Sequence, residues 1–540
     1  MRGQILRLPL PGLSILLLVM VSKALSAAGV ESPSFDNPDG RTSAAINNAI
    51  QQCRAGDTIR LPAGTYGLRE SVRMKSGVRL IGAGQDQTVF IWLSDESDPF
   101  IVINDCEDVE ISHLTLDGRG RTLSQDGIRA GNSRRLNLHH LCIRDLAKGK
   151  SVFVHAIMFS GNNPTMERGV TDSVVSDCLI ERIGRGAEFG GGIRMAWGSG
   201  RNHVLRNIIR DTGRGGIFGD HSADLVIRNN TVSGSGGEGL GIEIWGGCPR
   251  SLIEDNTIDH WLSVDKGDRT AVRRNTIAAP DGSHKYIGIE IIARDVIVTD
   301  NVVGRGNSIG LSVSNKEVKN NVFWGYNTVG ECSQWGAQLQ GETGGIARHY
   351  FYRCVFEKTV RGDAKAIYPG DSGHGFRFNG ASREVAFEDC LFEGNGGFGV
   401  QYCGDYVDKM TFLRCIFRNN GLGSVLGRTE EKTIAFPECR SEDKYGWPLS
   451  CKQFAHPAPA AGFAMPESIR AGVAARFTCT SRAGSGDIVE RLWDFNHGIA
   501  EVEANPEHVF EKAGKYRVTL IVWDGGGRGA RAEKTIEVVE

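Results

Sequence analysis

IRNNTV, residues 227–232, is one version of a phrase that this chain repeats. The others are VLRNII at 204–209, IEDNTI at 253–258, VRRNTI at 272–277, VTDNVV at 298–303 and VKNNVF at 318–323. They return roughly every 20 to 26 residues, the length of one coil of a parallel β-helix. Each offers an asparagine to one slot: Asn207, Asn230, Asn256, Asn275, Asn301 and Asn321. Stacked in a coil turn, such amides satisfy one another's polar groups. On either side of this block the slot holds cysteine: Cys142, Cys178, Cys354, Cys390 and Cys415. A small hydrophobe stacked in a buried ladder accounts for these without metal or redox chemistry. Of the 13 cysteines, Cys439 and Cys451, beyond the last coil, are the disulfide candidates.

A second register follows the glycines: GIRAG (127–131), AIMFS (156–160), GIRMA (192–196), GIFGD (216–220), GIEIW (241–245), SVDKG (263–267), GIEII (288–292) and GLSVS (310–314). Each alternates with period two, so one set of side chains fills a core and the other faces outward. The glycine load, 71 residues against 16 prolines with no triplet period, fits many tight turns between short strands. TSAAINNAIQQC (42–53) reads as a helix capping the first coil, whose open edge would otherwise invite pairing.

PAGTY, SGVRLIGAG and the asparagine-bearing coils resemble the pectate-lyase-like superfamily of right-handed parallel β-helices, over roughly residues 30 to 435. The resemblance implies about 12 coils with an N-terminal helical cap. HPAPAAG (456–462) reads as a linker, and RLWDFNHG (491–498) with HVFEKAGKYRVTLIVWDGGG (508–527) resembles a PKD domain, an immunoglobulin-like β-sandwich. Trp493, Phe495, Tyr516 and Leu520 would mark its core, although the usual WDFGDG stands here as WDFNHG. The resulting organisation is a signal peptide at 1–27, a β-helix domain at 28–436, a cap and linker at 437–462 and a PKD domain at 463–540. Such modules commonly space or target a catalytic domain on an insoluble polymer, which the resemblance implies here.

Arg2 and Arg7, the apolar run LSILLLVMV (13–21) and the small-residue zone SKALSAAG compose an export signal. The run is short for a membrane span, so the expected mature protein is a secreted or periplasmic monomer with no membrane span. Charge nearly cancels, 62 basic against 64 acidic residues, which gives nucleic acid no electrostatic footprint.

Stacking the second register places Arg194, Phe218, Glu243, Asp265, Glu290 and Ser312 in one outward column. The next outward position takes Asp220, Trp245 and Gly267, with His221 and Lys266 beside it. Parallel strands lie about 4.8 Å apart, so Asp220, Glu243, Asp265 and Glu290 form an acidic stripe with Arg194 at its N-terminal end. Crowded carboxylates raise some of one another's pKa values, a cost that glycosidic cleavage uses: a protonated carboxyl donates to the leaving oxygen while an ionised one activates water. Trp245 offers a face for a sugar ring, and Trp197, Trp261, Trp324 and Trp335 would extend it.

The expected function is cleavage of a polysaccharide by carboxylate general acid/base catalysis, with Asp220, Glu243, Asp265, Glu290, His221, Lys266 and Arg194 as catalytic candidates and Trp245, Trp197 and Trp261 as substrate-binding ones. No cofactor is required and no metal-spaced histidine pair occurs. Ca2+ held by the stripe would instead suit a polysaccharide lyase, with Lys266 or Arg194 near the abstracted proton. Hydrolase, lyase, epimerase and non-enzymatic glycan-binding or surface protein stay open at this point.

Overall fold

The computed structural model of the protein describes residue 35 and residues 40–540, apart from 124, 237–238, 260, 279–286, 316–320, 363–368, 404–406, 428–432 and 446–451. The export signal read at 1–27 and the candidate Cys451 lie outside the described residues.

Most coils pass through three short strands, two coils merge their first and second faces in the long strands Trp335–Tyr352 and His374–Glu388, and successive coils pair in parallel. One coil contributes Gly191–Ala196, His203–Leu205 and Ile208–Thr212, which we take as its first, second and third faces. The third face is a 15-stranded sheet, deeper than the dozen coils expected. Strands such as Gly64–Leu68 and Thr88–Trp92 keep the period near the N-terminus without keeping the phrase. Helix Ser43–Gln52 begins where the Thr42 side chain accepts a hydrogen bond from the Ala45 amide. It closes the barrel's end by burying Ile46, Ala49 and Ile50. Inside the first face, Ile157, Ile193, Ile217 and Ile242 stack in register and are wholly buried. Each such side chain contributes about 1.5–3 kcal/mol of burial, which fixes the alternate residues outward.

The corner between second and third faces explains the repeated phrase. Arg206, Asn229, Asp255, Arg274 and Asp300 each take a left-handed backbone there, with φ between 52° and 58°. The next residue is the ladder amide: Asn230 receives the Asn207 amide at 3.0 Å, while its Nδ2 donates to Val204 at 2.9 Å and to Asn256 at 3.0 Å. The ladder ends on Asn327, not Asn321, since the Asn301 amide donates to Asn327 Oδ1 at 3.1 Å. Val322 pairs with Val296, which moves the phrase to YNTV (326–329) and leaves Asn321 reaching Asp295 and the Arg491 carbonyl. Cysteine continues the slot as expected: the Cys178 amide donates to Asn207 at 3.0 Å, and burial pushes the Cys178 thiol up to about 12. Cys439 joins the same ladder as a free thiol, accepting the Cys415 amide at 3.3 Å, which corrects its reading as a disulfide partner beyond the last coil.

Residues from 463 onward form a β-sandwich in which Ile488–Asp494, Gly514–Asp524 and Gly529–Val539 pair antiparallel. Trp493, Phe495 and Leu520 are wholly buried, and Tyr516 packs against them. HPAPAAG does not hold this module away from the helix. Leu492, Ala500, Ile521 and Trp523 share an apolar core with Leu252, Ala271, Ile297 and Phe323 of the second face. Arg273, 0% exposed, crosses the seam to Asp494 at 2.7 Å and the Gly498 carbonyl at 2.6 Å, while holding Glu254 at 3.1 Å.

Candidate functional site

The first face carries the outward residues, and its register decides which of them meet. Phe218 pairs with Glu243, Glu243 with Ser263, Ser263 with Glu290 and Glu290 with Ser312. Asp265 is therefore absent from Glu243's column. The coil at 261–265 has Trp261 where its neighbours have glycine, so aligning SVDKG on its serine shifts it by two residues. Ser263 takes the slot, and Asp265 follows on from Asp220 and Trp245 in the adjoining column, displacing Gly267. Two columns replace the single stripe, but both lie on one face.

Within them Asp220 and Glu243 are paired with cations. Asp220 is 3% exposed; Arg194 reaches one of its oxygens at 2.5 Å and His221 Nδ1 the other at 2.6 Å. Asp220 and Glu243 stand on neighbouring rungs two residues out of register, a backbone diagonal of about 8 Å. Glu243, 8% exposed, accepts from Arg214 at 3.0 Å. Burial raises its carboxyl above the ordinary range; Arg214 and Arg194 oppose this, and the Asp220 charge adds to it. Two rungs beyond Glu243, Glu290 accepts from Ser263 at 3.0 Å and from the Trp261 indole at 3.2 Å.

The aromatic residues divide sharply. Trp245 is 49% exposed beside Asp220, with the His221 ring edge-on at 5.5 Å. Gly246 makes this contact possible, because a Cβ there would stand 2.3 Å from the His221 ring. Trp197 lies under the Arg194 guanidinium at 5.6 Å. Trp261 is half-buried and spends its indole N–H on Glu290. Trp324 and Trp335 are buried and drop out of the proposed platform. Lys266 is exposed at a left-handed turn, φ 54°.

Sequence reasoning missed Arg214, Phe153 and Phe189. Arg214 precedes its strand, outside the five-residue window on which the coils align, and Phe153 and Phe189 sit in the preceding turns. The two rings stack at 5.3 Å; Arg194 lies 6.0 Å from Phe153, and Arg214 6.0 Å from Phe189. This aromatic wall holds both arginines against the two carboxylates. The Nε atoms of Arg194 and Arg214 are buried without a hydrogen-bond partner. Among the described residues, no three His, Cys, Asp or Glu side chains are grouped so as to hold a metal ion.

Residues 99–258 match the family described as right handed beta helix region, and residues 456–539 match the PKD domain. The chain is a right-handed parallel β-helix that carries a PKD domain. Collagenase ColQ1 of Bacillus cereus (strain Q1) is 45% identical over 58 residues, 11% of this chain and 6% of the collagenase. The matched segment thus spans a small part of that relative. The PKD1 domain of the Vibrio cholerae metalloprotease PrtV is 37% identical, covering 15% of this chain and 99% of that domain, with a TM-score of 0.14. A mutant of the periplasmic alginate epimerase AlgG is 14% identical, covering 71% of this chain and 84% of that one, with a TM-score of 0.38. No described helix is long and apolar enough to cross a membrane.

Proposed function

We propose that this protein is an exported carbohydrate-active enzyme that hydrolyses glycosidic bonds of a polysaccharide on the first face of its β-helix. One observation carries the reading: a buried Glu243 whose carboxyl is pushed toward the protonated form stands diagonally beside an Asp220 held by Arg194 and His221. A raised carboxyl beside a second carboxyl suits the first to the role of acid and leaves the second that of base. Glu243 donates its proton to the leaving oxygen. Asp220, bound by Arg194, takes a proton from the attacking water, and His221 fixes its orientation. Side chains standing out in parallel from a backbone diagonal of about 8 Å would lie in the range of roughly 6.5–9.5 Å that leaves room for water, and inversion at the anomeric centre is the outcome proposed. Trp245 stacks on a sugar beside the acid, and Glu290 and Asp265 line the next rungs.

The lyase alternative draws support from Arg194 and Arg214, two guanidiniums near enough to hold a uronate carboxylate while a base removes its neighbouring proton. Both guanidiniums are already engaged within the site, Arg194 by Asp220 and Arg214 by Glu243, which is why hydrolysis is preferred. The test is to challenge the purified protein with a panel of neutral and acidic polysaccharides and resolve products by mass. New reducing ends released by wild type and absent with Glu243→Gln support the reading; cleavage at wild-type rate by that variant refutes it.

A further inference from the structure

Three histidines gather on two rungs near the N-terminal end of the second face, away from both the first-face site and the PKD footprint. His113 and His140 occupy left-handed corner positions, φ 57° and 52°, and stack ring on ring at 4.9 Å. His139 ends the strand Asn137–His139 and meets His140 edge-on at 5.1 Å. Neighbouring residues in a strand normally point to opposite sides. The left-handed turn at His140 swings its ring back toward His139, which no spacing rule for metal ligands would detect.

The result is that His139 Nδ1 and His140 Nδ1 stand 2.9 Å apart. His139 Nε2 lies 3.3 Å from Glu110 Oε1. A carboxylate there accepts, so the ring hydrogen sits on Nε2 and the Nδ1 lone pair faces His140. The same arrangement, a carboxylate behind the far nitrogen, orients metal-bound histidines. Glu110, partly buried beside His139, suits this role. Arg79 lies 3.7 Å from its other oxygen. Asp177, on the next corner rung, is tied to Arg206 at 2.7 Å and is not a further ligand.

Two imidazole nitrogens at this separation share either one proton or one cation. With metal–nitrogen bonds of about 2.0–2.1 Å, ligands at a right angle stand about 2.9 Å apart, while a tetrahedral angle would set them about 3.4 Å apart. Right-angled nitrogen donors are the preference of Cu2+ and Ni2+, not of Zn2+. We propose that His139 and His140 chelate a divalent transition metal of tetragonal preference through their Nδ1 atoms, with Glu110 orienting His139 and water filling the remaining positions. His140 is exposed, so the cation enters from solvent. No net proton need leave: His140 exchanges its Nδ1–H tautomer for the Nε2–H form.

The experiment titrates the full chain with Cu2+, then Ni2+ and Zn2+, by calorimetry, and records the paramagnetic resonance of the copper complex. His139→Gln and His140→Asn are the variants, asparagine being chosen because it tolerates the left-handed backbone. Expected are one nitrogen-ligated copper per chain, a loss of at least tenfold in affinity in either variant, and nickel bound more tightly than zinc. Copper affinity and spectrum unchanged in the double variant would overturn the site. Zinc binding as tightly as nickel would overturn the right-angled geometry. Circular dichroism of the variants separates a lost ligand from a lost fold.

Discussion

Replacing Arg273 by alanine tests how the two domains are joined. The arginine is fully buried and serves Glu254 and Asp494 from opposite sides of the seam. Removing one partner from a buried ion pair costs about 3–5 kcal/mol; Glu254 keeps Arg228 at 2.6 Å, whereas the buried Asp494 loses the cation it binds. Unfolding entropy runs at about 2.1 cal/mol/K per residue. If helix and PKD domain melt as one unit of about 500 residues, a loss of about 3–5 kcal/mol lowers the transition by about 3–5 °C. A PKD domain of roughly 80 residues melting alone would instead fall by some 25 °C. The shared core of Trp523, Ile521, Ile297 and Phe323 favours the first outcome: a single calorimetric transition, shifted by a few degrees. Adding Asp494→Asn should recover much of the loss by removing the stranded charge. The pH dependence has a definite sign. Burial pushes the Glu254 carboxyl up, but Arg273, Arg228 and Arg274 together hold it below the usual range. Its stabilising contribution is complete above the unfolded carboxylate value of about 4.3 and is lost as pH falls through the lower folded value. Wild type and Arg273→Ala should therefore converge in acid. A shift below 1 °C at neutral pH, or two separated transitions, would refute the reasoning.

Glu243 carries the opposite sign. Its raised carboxyl favours the protonated form, so its contribution is present below about pH 4.3 and lost as pH rises through its folded value. Glu243→Gln should melt above wild type at neutral pH and lose that advantage in acid; equal melting curves from pH 3 to 8 would contradict the burial argument. Trp245→Ala should raise KM about tenfold or more on the hydrolysed polysaccharide and change kcat little, as expected for a residue that binds the sugar in ground and transition states alike. A matching fall in kcat with KM unchanged would place Trp245 in the chemistry instead.

The fold was legible because the corner ladder writes itself into sequence: an amide or thiol must fill each buried slot, and the preceding residue must tolerate φ near 55°, so Asn, Asp and Arg recur before it. The same phrase misled at VKNNVF, where Asn320 and Asn321 imitate the ladder while Asn327 fills it. Register on the first face was legible where glycine, or the small alanine of AIMFS, opens the strand. Trp261 replaces that glycine, and the error it caused moved Asp265 across a column. Arg214 and the Phe153–Phe189 wall were not legible, since turns between coils vary in length and carry no period. The seam with the PKD domain was hidden for a different reason: Arg273 reads as one more charged corner residue until Asp494, 221 positions away, is brought against it.

Water addition promoted by Glu243 and Asp220 leaves an isotopic signature. The polysaccharide that wild type degrades should be digested in oxygen-18 water, with product mass, anomeric configuration and ultraviolet absorbance followed together. The expected result is one heavy oxygen at each new reducing end, inverted at the anomeric carbon, no absorbing double bond, and loss of the reaction in both Glu243→Gln and Asp220→Asn. Unlabelled products bearing an ultraviolet-absorbing unsaturated sugar would contradict it and make this face the site of a lyase.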